Sequence, residues 1–125
     1  MTVTMQDVRR ILDPEEPRYD RIPALGPQAL PHLRELAAGD DPMLASKAVF
    51  AASMLEGATG APVVDAGAHH EDPIVRVAAA AATQNLPAEE AGAVLRDLVG
   101  DDDSGVRKVA LASAPRPDPG PSVSA

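Results

Sequence analysis

Asp72-Pro73-Ile74-Val75-Arg76-Val77-Ala78-Ala79 decides the fold of this 125-residue chain, because it recurs. The other copies are Asp41-Pro42-Met43-Leu44-Ala45-Ser46-Lys47-Ala48 and Asp103-Ser104-Gly105-Val106-Arg107-Lys108-Val109-Ala110. The leading Asp steps by 31 residues, from 41 to 72 to 103. Leu44, Val75 and Val106 keep the same step, as do Ala48, Ala79 and Ala110. Upstream of each Asp the register continues without a gap. Leu33, Val64 and Leu95 form one column, and Leu36, Gly67 and Leu98 another. Pro31 and Pro62 form a third, with Ala93 in the last copy. A fixed period of this length marks a duplicated unit that stacks on its neighbours to bury a shared core.

Each unit reads as two helices. The first helices are expected over Pro27–Ala38, Ala61–Ala68 and Ala88–Val99. Leu30, Leu33 and Leu36 share one helical face, and Ala91, Val94, Leu95 and Leu98 repeat it. Pro27 suits a first turn, whereas Pro31 should loosen the start of its helix. An acidic turn follows in every copy. Its last Asp is an N-cap whose carboxylate accepts from free amides and meets the positive end of the dipole. The second helices are expected from Pro42 to Leu55, Pro73 to Asn85 and Ser104 to Ala114. Leu44, Ala48, Ala51 and Leu55 form their buried stripe, repeated by Val75, Ala79, Ala82 and Leu86. Alanine there favours helix and lets backbones approach closely.

The units span about 25–56, 57–87 and 88–114, together a domain over 1–114. Residues 1–24 are its N-terminal cap, with a helix at Met5–Leu12 that Pro14-Glu15-Glu16-Pro17 breaks. Residues 115–125, with proline at 115, 117, 119 and 121, read as a Pro-rich flexible tail. Gly60, Pro62 and Gly67 mark the first helix of the middle unit as the softest part of the array.

This pattern resembles the HEAT repeats. Asp72-Pro73-Ile74-Val75-Arg76-Val77-Ala78-Ala79 is similar to the core of that family, and Leu25-Gly26-Pro27-Gln28-Ala29-Leu30-Pro31-His32-Leu33 to its preceding turn and first helix. The resemblance implies an all-α fold, a short right-handed α-α superhelix of about three helix pairs plus an N-terminal capping helix. It also implies a ladder along the inter-helix loops, Asp41 with Arg76 and Asp72 with Arg107. Ala45 stands where the first unit would carry the ladder arginine.

Composition narrows the function. There is no cysteine, hence no disulfide and no thiolate metal site. Tyr19 and Phe50 are the only aromatics, too few for base-stacking platforms. Net charge is −8, the wrong sign for nucleic-acid backbone binding. The longest apolar run, Val77–Ala82, falls far short of a membrane span. Residues Met1–Asp20 lack an apolar signal core, so the expected compartment is the cytoplasm.

Catalytic and metal constellations are not found. His69-His70-Glu71-Asp72 is the most suggestive cluster, since imidazole beside carboxylate can bind zinc or relay protons. It lies in a turn, and Asp72 already has a capping role. His32 falls in a column with Val63 and Val94, which reads as half-buried. Ser46, Ser53, Ser104 and Ser113 have no histidine placed to activate them. Gly57 and Gly60 lack the lysine of a phosphate loop. Asp101-Asp102-Asp103 lacks the spacing of a calcium loop. Glu89 and Glu90 sit where a helix dipole favours them. No cofactor is expected.

The expected role is therefore a non-catalytic protein-interaction or adaptor module. Its candidate partner surface is the face of the second helices, with Lys47, Phe50, Met54, Val77, Gln84, Lys108 and Leu111. Phe50, Met54 and Val77 either form an exposed apolar patch or thicken the core. The acidic surface would steer a partner with a basic segment. The C-terminal end has no evident cap and is expected to be covered by a second copy or by a partner protein, fold-back of the tail being the weakest option because Val123 is its only large apolar group. Two alternatives come from the resemblance: a subunit of a bilin lyase-like or other HEAT-repeat enzyme, and a nucleic-acid-binding HEAT-like module.

Overall fold

The computed structural model describes residues 2–114. Within them the chain is helical throughout, with no strand. The elements are α1 (Met5–Leu12), α2 (Ile22–Leu25), α3 (Leu30–Ala37), α4 (Pro42–Ser53), α5 (Ala61–Ala68), α6 (Pro73–Ala82), α7 (Ala88–Leu98) and α8 (Ser104–Ser113). Short 3₁₀ turns lead into α2 and α3 and follow α6. The pairs α3/α4, α5/α6 and α7/α8 are the three repeat units. The tail 115–125 lies outside the described residues.

Local chemistry sets the helix starts. Thr4 and Asp7 form a reciprocal capping box at α1. Asp41, Asp72 and Asp103 each cap a second helix through the side chain. Pro42 and Pro73 occupy the first turn, where a missing N–H costs nothing. Pro31 does the same one helix earlier: Gly26–Ala29 is 3₁₀ and the α-helix proper starts at Leu30. Gly26 and Gly57 adopt φ of 70° and 63°, a left-handed conformation that favours glycine at these turns.

The repeat columns become the core. Leu33, Val64 and Leu95 are all buried, as are Ala48, Ala79 and Ala110. The second helices α4, α6 and α8 contact one another far more extensively than the first helices α3, α5 and α7 do. The second helices thus form the more tightly packed layer of the stack. Helix α4 is the most enclosed: Ala45, Ala48, Val49, Ala51, Ala52 and Ser53 are all buried. On the outer side of the first unit, α1 packs against α3 and α4 and buries Val8, Ile11 and Leu12. The chain before it is tied down, with Val3 N–H donating to Gln28 Oε1 at 3.2 Å and His32 Nε2 bonded to the Val3 carbonyl at 2.9 Å.

The glycines of the middle unit have a packing role that periodicity alone does not convey. A β-carbon at Gly60 would overlap the backbone of Ala52 in α4. One at Gly67 would lie 2.7 Å from Val49 Cγ2. These glycines are the points where α5 rests directly on α4. The columns agree: Gly60 aligns with Ala29 and Ala91, both buried. Gly67 stands where the other units have Leu36 and Leu98, and Val49 of α4 occupies the space that its β-carbon would need.

Candidate functional site

The inter-helix loops concentrate the polar chemistry. Each capping Asp spends its carboxylate on its own helix. Asp41 accepts from Met43 N at 3.0 Å and Leu44 N at 3.3 Å. Asp72 accepts from Ile74 N at 2.9 Å, and Asp103 from Val106 N at 3.0 Å. The ladder implied by the resemblance is therefore replaced by another pairing. Arg76 does not bind Asp41. Its guanidinium reaches forward to Asp101 of the next unit, with Nε to Oδ2 at 2.9 Å and Nη2 to Oδ1 at 3.2 Å. The same guanidinium donates from Nη1 to the carbonyls of His70 at 2.8 Å and Glu71 at 2.9 Å. Arg107 does not bind Asp72 either; its Nη1 donates to the Asp101 carbonyl of its own unit at 2.6 Å.

The arginine column thus has one repeated duty and one that occurs once. The repeated duty is a bond to the carbonyl six residues back, His70 for Arg76 and Asp101 for Arg107. The single duty is the fork-on-fork pair with Asp101, a geometry specific to arginine and carboxylate. Both side chains of that pair are largely buried, at 15% and 10% exposure. Partial burial pushes the Asp101 carboxyl up, but the Asp103 amide and the Arg76 guanidinium together bring it below the usual aspartate value. Sequence reasoning missed Asp101 because it matched the arginine to the capping column. The acceptor stands two residues earlier, in the column Gly39, His70, Asp101, where only one copy has a carboxylate.

The histidine cluster is built into the same loops. His70 Nδ1 accepts from Asp72 N at 3.0 Å, the bond that Asp101 Oδ1 makes with Asp103 N at 2.9 Å one unit later. His69 Nδ1 donates to the Asp65 carbonyl at 2.9 Å, and Nε2 lies 3.4 Å from Asp97 Oδ2. The Asp65 bond, with Asp97 adding, raises its pKa above the usual value. Each ring thus has a local structural partner, and the two engage different elements.

The proposed partner face divides. Phe50, Met54 and Val77 are half-buried and packed against the core. Phe50 meets Tyr19 edge-on, with ring centroids 4.8 Å apart at 62°. Lys47 is half-buried. Gln84 is exposed and donates to Ser113 Oγ at 3.3 Å. Lys108 and Leu111 are exposed, Leu111 at 64%. Three further large apolar residues are exposed, Met43 at 58%, Ile74 at 52% and Val99 at 37%. Met43 and Ile74 share one repeat column, just after the prolines, so the register could have found them.

A stack of antiparallel helix pairs joined by short polar loops defines an α-solenoid. The family model of HEAT repeats matches residues 30–114, more than half of the chain, and the protein belongs to that family. Comparison with curated proteins and with solved structures finds no significant match. No helix among the described residues is long and apolar enough to cross a membrane.

Proposed function

We propose that this chain is a non-catalytic protein-interaction module. HEAT repeats are generally interaction scaffolds, and the loop chemistry is accounted for by capping and unit-to-unit bonding. The observation that carries the reading is the state of α8. Helix α4 buries six of its residues, whereas α8 buries only Val106 and Ala110 and leaves Leu111 largely exposed. Each unit of a solenoid buries one side against its neighbour, and no described element packs on the outer side of the last one. Lys108 and Leu111 on α8 are the residues a partner or a second copy would cover. The cytoplasm is the compartment this reading assumes.

The test is Leu111→Glu, followed by light scattering and affinity capture against the unsubstituted protein. The expected outcome is loss of self-association or of a captured partner, with helicity by circular dichroism unchanged. A monomeric protein whose partner capture survives the substitution would refute the reading.

A further inference from the structure

The two loop-to-loop junctions differ by one side chain. Between the second and third units the space is filled by the Arg76 guanidinium, held by the carbonyls of His70 and Glu71 and by Asp101. One repeat earlier the arginine position is Ala45, and the carbonyls of Gly39 and Asp40 stand in place of those of His70 and Glu71. Among the described residues no donor reaches either carbonyl. An open cleft of about 470 Å³ occupies this junction, lined on one side by Gly39, Asp40 and Pro42 and on the other by His70, Glu71 and Asp72. The next junction shows what such a cleft accepts, because the same columns ligate a guanidinium there.

We infer that the cleft between the first two inter-helix loops is a socket for an arginine side chain supplied by another protein. The carbonyls of Gly39 and Asp40, at the negative end of α3, take the place of those of His70 and Glu71. The carboxylates of Asp40 and Glu71 supply the charge at its exposed rim. Ala45 is itself buried, so the guanidinium enters from the open side of the loops rather than along α4. His70 stands where Asp101 does, but it is not an equal substitute. Its Nδ1 accepts from the Asp72 amide, so its proton sits on Nε2 and the ring offers no acceptor to arginine. The socket therefore lacks the fork of the filled junction, and arginine binds it more weakly and reversibly. One guanidinium nitrogen meets both carbonyls in the filled junction, so the preference for arginine over lysine rests on its remaining nitrogens, which a rigid plane holds toward the rim carboxylates at the same time. The inference rests on the proposed protein-binding role for the source of the arginine, but not for the chemistry of the socket.

The experiment is an NMR titration of the full chain with N-acetyl-arginine amide and with its lysine counterpart, following the amides of Gly39, Asp40, Glu71 and Asp72. Saturable shifts with the arginine compound, and several-fold weaker binding of the lysine one, are expected. Glu71→Gln, at an exposed position, should weaken the response several-fold. His70→Asp should tighten it, by restoring the carboxylate of the filled junction. Ala45→Arg should abolish it, by filling the cleft within the chain. Equal response to both compounds, or no saturable shift, overturns the inference, as does a response indifferent to Glu71→Gln. Leu111→Glu should leave the titration unchanged. If that variant loses its partner while the arginine compound never binds, the socket falls and the interaction module stands.

Discussion

The first junction of this solenoid is made by close packing and the second by an ion pair, although both follow one repeat register. At the first, Gly60 and Gly67 bring the backbone of α5 onto Ala52 and Val49 of α4, and the loops carry no inter-unit ion pair among the described residues. At the second, Leu98 stands where Gly67 does, and Arg76 bolts the loops together through Asp101. A repeat protein needs each interface to be stable, but not by the same means. Close approach of backbones supplies dispersion contacts along a helix. A forked arginine supplies a few directional bonds at one edge.

The difference is broken most severely at Gly60. Its φ of −88° is accessible to any residue, so only space forbids a side chain there. Gly60→Ala forces a methyl group into the Ala52 backbone, which cannot yield as a flexible side chain can. We expect a loss of about 3 kcal/mol in urea unfolding, at the upper end of overpacking costs. The counterpart substitution at the second junction, Ala91→Gly, should cost no more than about 1 kcal/mol, the usual helix penalty of glycine. Equal effects at the two positions would show that the first junction is not specially close.

The second junction is broken at its bolt. Arg76→Ala leaves Asp101 largely buried without its charged partner, and should cost about 2 kcal/mol. A double-mutant cycle with Asp101→Ala should give a coupling of about 1 kcal/mol, since the two side chains are in contact. The same cycle with Asp41→Ala should give none, because Asp41 is engaged with Met43 and Leu44. Coupling to Asp41 instead of Asp101 would restore the column-for-column ladder.

That reversal shows what the sequence can and cannot convey. Helix positions, capping aspartates and buried columns were legible because each depends on residues within one unit or on strict periodicity. The helix Ala61–Ala68 falls where periodicity places it, and the N-terminal helix Met5–Leu12, outside the 31-residue register, also has its expected bounds. The partner of Arg76 was not legible. Asp41 is the acid that recurs, but a capping carboxylate is already committed to amides of its own helix. The acid that meets the guanidinium is Asp101, which stands outside the repeating acidic column and does not cap a helix. Gly60 and Gly67 were legible as poor helix formers and illegible as points of contact, because the contact belongs to α4. Of the partner face, Lys108 and Leu111 lie open, while Phe50 is covered by Tyr19, a residue outside the repeat register.

The smallest effect sharpens the comparison through pH. The Asp101 carboxyl lies below its usual value of 3.8 in the folded chain. A lowered folded pKa means that the unfolded chain takes up the proton first as pH falls. The stability contributed by the charged pair is therefore fully present above about pH 4, the unfolded value. It is lost as pH drops through the lower folded value. Asp101→Asn is the suitable comparator: its side-chain oxygen still accepts from the Asp103 amide, so only the charge is removed. The stability gap between the two proteins, from urea midpoints, should be constant between pH 7 and 5 and close below pH 4. Asp7, lowered chiefly by its bond with the Thr4 amide, titrates in the same window but is common to both proteins and cancels in the difference. His69, whose pKa is raised, loses its contribution in the opposite direction as pH rises, and cancels likewise. A gap that persists in acid would mean that Asp101 acts through the shape of its loop rather than through its charge. The second junction would then be a packing junction like the first.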